Sequence, residues 1–240
     1  MSRLFAELDY RETPIGALSL RRRRELRLDQ DVWEIKLDDE FLMSSLFTVS
    51  EVALARLGLG LHGGTAVDVV VGGLGLGYTA ATVLEQASVN SLIVIEYLQA
   101  VIDWHAATLL PLGRQLCDDP RCRLLQADFF ACAAAPDGFD PDRPGRRFHA
   151  ILLDIDHSPD AWLDDRSRGF YTVPGLTDLA RHLLPGGVFG LWSNEAPDGE
   201  FLARLRAVFA DARAEAVRFH NPLQDSEVTQ TVYLGRTAAA

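Results

Sequence analysis

The stretch VDVVVGGLGLGYT, residues 67–79, decides how the chain is read. Val67, Val69, Val70 and Val71 form a β-branched run too short for a helix, bounded by Gly63-Gly64 before it and Gly72-Gly73 after it. A strand covered by helices on both faces carries such a continuous apolar run, so this segment is expected to be an inner strand of a parallel sheet. Gly72, Gly73, Gly75 and Gly77 then lead from the strand into a helix. At such a junction the backbone turns tightly and comes close to a ligand that a Cβ would keep away. The first expectation is a nucleotide or nucleoside site at the carboxyl end of this strand.

The theme repeats outward. Residues 92–95, 123–126, 150–153 and 188–192 read as further strands, with helical spacing over 79–86, 99–109 and 175–184. Strand and helix in alternation imply a parallel, doubly wound sheet with right-handed crossovers. A helix over 200–210 precedes two alternating segments, 216–219 and 228–234, which read as a closing antiparallel pair. Residues 137–147, rich in Pro, Gly and charge, read as a surface loop. The first fifty residues differ: 16–20, 26–28 and 32–37 alternate at a period near two, as short antiparallel strands do. From Glu40 the spacing of Phe41, Leu42, Leu46, Val49, Val52, Ala53 and Leu57 predicts a helix that stops near Gly58 and Gly60. The division expected is a small β domain over 1–50 and a nucleoside-binding domain over 51–240.

A glycine turn is weak evidence until an acid ends the next strand, where ribose hydroxyls need an acceptor. Glu96, nineteen positions after Gly77, is that acid, and Tyr97 beside it is expected to face the nucleoside. Asp128 and Phe129 end the third strand, placing a carboxylate for an adenine amino group next to an aromatic ring. The fourth strand ends in Asp154-Ile155-Asp156-His157-Ser158-Pro159, which puts acids at the carboxyl edge of the sheet.

In this order and spacing the residues resemble the class I S-adenosylmethionine-dependent methyltransferase fold and, within it, the spermidine synthase (polyamine aminopropyltransferase) family. The resemblance runs over nearly the whole chain: Asp39-Glu40-Phe41, the glycine turn, Glu96 with Val101, Asp119-Pro120-Arg121, Asp128, Asp154 with Pro159, Tyr171-Thr172 and Pro185-Gly186-Gly187. It implies a Rossmann-like, mostly parallel seven-stranded sheet with a terminal antiparallel strand and a small N-terminal β domain. It also implies S-adenosylmethionine or its decarboxylated form as co-substrate, held by Gly72, Gly73, Gly75, Gly77, Glu96, Tyr97, Asp128, Phe129 and Asp154. A small-molecule acceptor such as a polyamine, and a homodimer, are the partners it suggests.

The departures from that family fall on the chemistry. Gly75 stands where the family's glycine turn carries the acid that holds the donor's amine, and Met43-Ser44 stand near the family's Tyr-His of the polyamine site. Trp33 or Glu34 replaces the hairpin glutamine. The family's D-x-x-D-P becomes Asp154 to Pro159 with one extra residue. A polyamine nitrogen is mostly protonated at neutral pH, so transfer needs a proton acceptor beside it. Asp154, Asp156 and His157 are the catalytic candidates, and His157 suits a base near neutrality or a hydrogen-bonded neighbour of the two acids. Three functions stay open: aminopropyl transfer to a small amine, methyl transfer to another small acceptor, or a degenerate nucleoside-binding scaffold. Tyr97, Phe129, Trp162 and Trp192 are candidate acceptor-pocket aromatics, and Glu195 a candidate pocket acid.

Composition narrows the setting. The 240 residues are 48% hydrophobic and 24% charged, with a net charge of −11 and Lys36 as the only lysine. Such a surface repels phosphate backbones and disfavours nucleic acid as a partner. The basic run Arg21 to Arg24 is expected to lie on a solvated strand edge. Cys117, Cys122 and Cys132 lack zinc spacing, the histidines are scattered, and no metal is expected. No apolar run nears the ~20 residues of a membrane span, and no signal-peptide core is visible, so the cytoplasm is the expected location.

Overall fold

Four antiparallel strands open the chain: β1 (Phe5–Thr13), β2 (Gly16–Glu25), β3 (Gln30–Leu37) and β4 (Glu40–Ser44), in that order in one sheet. The computed structural model describes residues 4–239. Leu18, Leu20, Ile35 and Leu37 are buried on the inner face, as the period of two requires. Three local expectations are corrected here. The helix predicted from Glu40 does not start there, because 40–44 pairs with β3 through Ile35↔Met43 and Lys36↔Phe41, and Phe41 is exposed. Residues 26–28 form a turn with Leu26 exposed, while β1 supplies a strand the alternation did not reveal. Arg21 to Arg24 lie on an inner strand, not an edge: β2 is paired on both sides. Three of its arginines are paired locally, Arg21 with Glu7 at 3.6 Å, Arg23 with Glu34 at 2.7 Å and Glu25 at 2.6 Å, and Arg24 with Asp29 at 2.5 Å.

The remainder alternates helix and strand. It runs α1 (Val49–His62), β5 (Val67–Gly72), α2 (Tyr78–Leu84), β6 (Val89–Glu96), α3 (Gln99–Ala106), α4 (Gly113–Asp118), β7 (Cys122–Gln126), α5 (Phe129–Ala134) and β8 (Phe148–Leu153). It closes with a 3-10 turn at Asp165–Tyr171, α6 (Val173–Ala180), β9 (Leu183–Ser193), α7 (Gly199–Val208), β10 (Asp211–Asn221) and β11 (Ser226–Arg236). The sheet order is β10-β11-β9-β8-β5-β6-β7. Strands β5 to β9 are parallel, and β11 runs against both of its neighbours, β9 and β10. The chain winds outward from β5 to β7 and then returns to the other side of β5 as β8. Two crossovers therefore leave in opposite directions between β5 and β8, which opens a crevice above the carboxyl ends of these strands.

Each face of the sheet buries its own cluster. Leu54, Val69, Val71, Val94, Trp104 and Leu152 pack on one face, and the inner face of the N-terminal sheet joins them through Leu18, Leu20 and Ile35. Polar bolts fasten that junction: Trp104 Nε1 donates to Asp9 Oδ2 at 2.6 Å, and Arg11 reaches Asp103 at 2.6 Å. The other face is aromatic, with Phe129, Phe139, Phe170, Phe189 and Phe209 in contact. The 137–147 segment is more than a surface loop. Asp140 is fully buried there and accepts from Arg146 at 2.9 Å, Arg123 at 3.2 Å and Arg143 at 3.3 Å, since a buried carboxylate needs such partners.

Candidate functional site

The glycine turn after β5 is held by its neighbours. Asp154 N donates to Gly72 O at 2.8 Å and Gly73 N to Ile95 O at 2.9 Å, so the ends of β5, β6 and β8 are stitched together. Gly73 has φ +90°, and a Cβ there would collide with the Asp154 carbonyl oxygen. Gly75 has φ +47°, and a Cβ there would meet the Met43 thioether, which also accepts from Leu76 N at 2.9 Å. The position at which the resembled family carries an acid is thus covered by a methionine from β4. Both departures noted in the sequence, Gly75 and Met43, belong to one contact.

Above the turn lies a cavity of about 770 Å³, a size suited to a nucleoside and a small second substrate. Its walls come from the ends of β5 to β9, from β4 and the start of α1, and from the segment following β8. Glu96 and Asp128 stand at one end. Glu96 is buried, and its carboxylate accepts from Leu74 N at 3.0 Å and Leu98 N at 2.8 Å, clamping the turn. Burial raises its pKa against the opposing pull of those amides. Asp128 caps α5, with Oδ1 accepting from Phe130 N at 2.9 Å and Ala131 N at 3.1 Å; neither bond uses Oδ2. Tyr97 lines the same end beneath the Arg166 guanidinium, 5.8 Å from its ring centre. Phe129 forms part of the floor, but its ring is 2% exposed and packed among Phe130, Phe139 and Phe170.

Asp154 stands at the end of β8, midway along the cavity. It lies deep in the molecule yet opens onto the cavity, and its Oδ2 accepts from Thr79 at 2.6 Å. Glu51 of α1 is the partner that sequence reasoning missed. It is 6% exposed, lines the same cavity, and its Oε2 accepts from Ser50, whose hydroxyl in turn accepts from Trp192 Nε1, both at 2.8 Å. Burial pushes Glu51 up to about 8, with the charge of Asp154 adding to it, and burial pushes Asp154 up to about 6 against the Thr79 hydrogen bond. Near neutral pH the pair therefore holds about one proton between them. A signal for Glu51 was present: it shares an i, i+3, i+4, i+7 stripe with the buried Leu54, Ala55 and Gly58, where an acid has no packing reason to be.

The other catalytic candidates are placed differently. Asp156 lines the cavity, but both oxygens are engaged, Oδ1 by Leu163 N at 2.8 Å and Oδ2 by the Tyr171 hydroxyl at 2.7 Å. It ties the segment after β8 to the core. His157 is partly exposed and pairs through Nε2 with Glu40 Oε1 at 3.0 Å, joining that segment to β4. Trp192 lines the cavity, whereas Trp162 is absent from its wall and bonds to Pro159 O at 2.7 Å; Glu195 is exposed outside it.

A pH dependence follows from the acid pair. Both carboxyls are raised above their ordinary values of 4.5 and 3.8, so the folded state binds their protons better than the unfolded state does. That stabilisation is complete below about pH 4 and is lost as pH rises through about 6 and then about 8. Thermal melts of the wild type and Glu51→Gln are expected to diverge with rising pH. The wild type should lose a few kcal/mol relative to the variant between pH 5 and 9. Parallel curves would show that Glu51 is ionised across this range.

Fold and crevice together define the Rossmann-like, class I methyltransferase fold, with an N-terminal sheet in the spermidine synthase-like arrangement. The chain is similar to a spermidine synthase solved with the transition-state analogue AdoDATO, at TM-score 0.73 and 19% identity, over 98% of this chain and 74% of that one. It is similar to the spermidine synthase of Thermotoga maritima at TM-score 0.72 and 18% identity, with the same coverage. Human methyltransferase-like protein 13, solved with SAH, matches at TM-score 0.53 and 20% identity, over 79% of this chain and 80% of that one. No family model and no curated protein matches the sequence. Among the described residues no helix is long and apolar enough to cross a membrane.

Proposed function

We propose that the protein is a transferase that binds decarboxylated S-adenosylmethionine and moves its aminopropyl group to a small amine. The observation that carries this reading is the charge of the cavity. Glu51, Glu96, Asp128, Asp154 and Asp156 all line it, with one proton shared by Glu51 and Asp154, whereas among the described residues Arg166 is the one arginine on its wall and is ion-paired with Asp164 at 2.6 Å. The decarboxylated donor brings a sulfonium and an ammonium and no carboxylate, so it suits an anionic wall. Ordinary S-adenosylmethionine adds a carboxylate for which no unpaired cation stands on the wall, and like charges at short range cost affinity.

On this reading the remaining lone pairs of the Glu96 carboxylate and the free oxygen of Asp128 receive the ribose and the adenine amino group, while the Tyr97 ring covers the nucleoside. The acceptor arrives as an ammonium and gives one proton to the Asp154–Glu51 pair. Its free nitrogen then attacks the donor carbon next to sulfur; the C–S bond breaks, its electron pair stays on sulfur, and methylthioadenosine leaves. Thr79 holds one oxygen of Asp154, which leaves the other for the nitrogen. The methyl-transfer alternative draws on one specific feature, the loss of the amine-holding acid at Gly75 to the Met43 contact.

Mass spectrometry of reactions with each donor and a panel of amines decides between them. Methylthioadenosine is the expected product, S-adenosylhomocysteine would establish methyl transfer, and neither product despite donor binding would leave a nucleoside-binding scaffold. Calorimetry is expected to give a Kd at least about tenfold lower for the decarboxylated donor, equivalent to ~1.4 kcal/mol.

A further inference from the structure

The sheet order separates the two ends of the cavity. Glu96 and Asp128 end β6 and β7 on one side of Asp154, while Trp192 lies near the end of β9, Asn194 follows that strand and Gln230 belongs to β11 on the other side. Given the proposed nucleoside site, on which this inference rests, the β9–β11 side receives the acceptor. Its wall is apolar or neutral. Leu42 of β4 and Phe47 of the β4–α1 connection face the cavity with Trp192, and Gln230 Nε2 donates to Asn194 Oδ1 at 2.7 Å. Outside that wall, Glu40 is 61% exposed and already paired with His157, and Glu195 is exposed beyond Asn194.

We infer that the acceptor is a primary monoamine with an apolar alkyl or aryl body, and not a diamine. One ammonium reaches the buried Asp154–Glu51 pair, and the remainder lies against Leu42, Phe47 and Trp192. A second ammonium at that distance would leave water for a wall on which, among the described residues, no unpaired carboxylate stands, and a desolvated charge without a partner is strongly disfavoured. An apolar tail in the same place gains by leaving water.

The experiment compares butylamine and phenethylamine with 1,4-diaminobutane, using the full-length protein saturated with decarboxylated donor and reading methylthioadenosine release. A kcat/KM at least about tenfold higher for a monoamine is expected. Equal or better use of the diamine overturns the inference, as does donor binding without release from any amine. Thermal shift of the donor-free protein gives a second reading, with the monoamines raising Tm at concentrations where the diamine does not; the reverse order counts against the inference. Asn194→Asp places a carboxylate at this end while Gln230 keeps its acceptor oxygen, and it is expected to shrink the preference several-fold; an unchanged ratio would also count against the inference. Donor binding is measured separately by calorimetry. Its absence overturns the proposed function, whereas a diamine preference with intact donor binding overturns only the choice of acceptor.

Discussion

Asp154→Asn is expected to lower kcat for aminopropyl transfer by about 10²- to 10⁴-fold, the usual contribution of a positioned proton acceptor. The substitution isolates the chemistry because asparagine keeps an oxygen for the Thr79 hydroxyl, which now bonds Asp154 Oδ2 at 2.6 Å. The backbone bond from residue 154 to Gly72 O does not involve the side chain at all. The fold and the glycine turn should therefore persist, and any fall in donor affinity should be smaller than the fall in kcat. The pH profile gives an independent mark. The wild-type rate should climb as Asp154 ionises near pH 6, and that limb should vanish in the variant. Single-turnover kinetics beside calorimetry provide the test; a kcat within threefold of wild type would assign the proton to another group.

Gly73→Ala is expected to cost about 2–5 kcal/mol, the range for left-handed strain combined with overpacking. At this chain length such a loss corresponds to a fall in Tm of roughly 5–15 °C. The reason is local. Gly73 has φ +90°, and a Cβ would run into the Asp154 carbonyl oxygen, a backbone atom that cannot swing aside. Relief requires the ends of β5 and β8 to separate, which moves Asp154 away from Glu96 and should abolish donor binding even in protein that folds. Gly60→Ala is the control. That glycine lies inside α1 with nothing near its missing Cβ, and alanine there should stabilise by up to about 1 kcal/mol. Melting curves and donor titrations of both variants check the pair; a Gly73→Ala protein that binds donor normally would remove the turn from the site.

Much of the site could be read from the chain because an α/β sheet presents its functional residues where strands end. The valine run, the glycines behind it, and Glu96, Asp128 and Asp154 closing successive strands were each visible as a boundary between an apolar run and polar residues. What escaped notice were relations between distant segments. Helical spacing from Glu40 was misleading because β3 supplies a hydrogen-bonded partner to 40–44. Asp156, a promising acid by position, spends both oxygens on Leu163 and Tyr171. The contact of Met43 with Gly75, and of Glu51 with the charge of Asp154, bring β4 and α1 over a turn far along the chain.

By itself, the sequence determined the doubly wound sheet, the second and third N-terminal strands, and the edge at which the acids gather. Those follow from burial patterns and from the need for glycine at a tight turn, which are properties of neighbouring residues. Only the tertiary structure decided which acids are free, which are locked, and which share a proton. Hydrogen bonds, desolvation and charge coupling depend on distances across space, and these are set when α1 and β4 close over the end of β8.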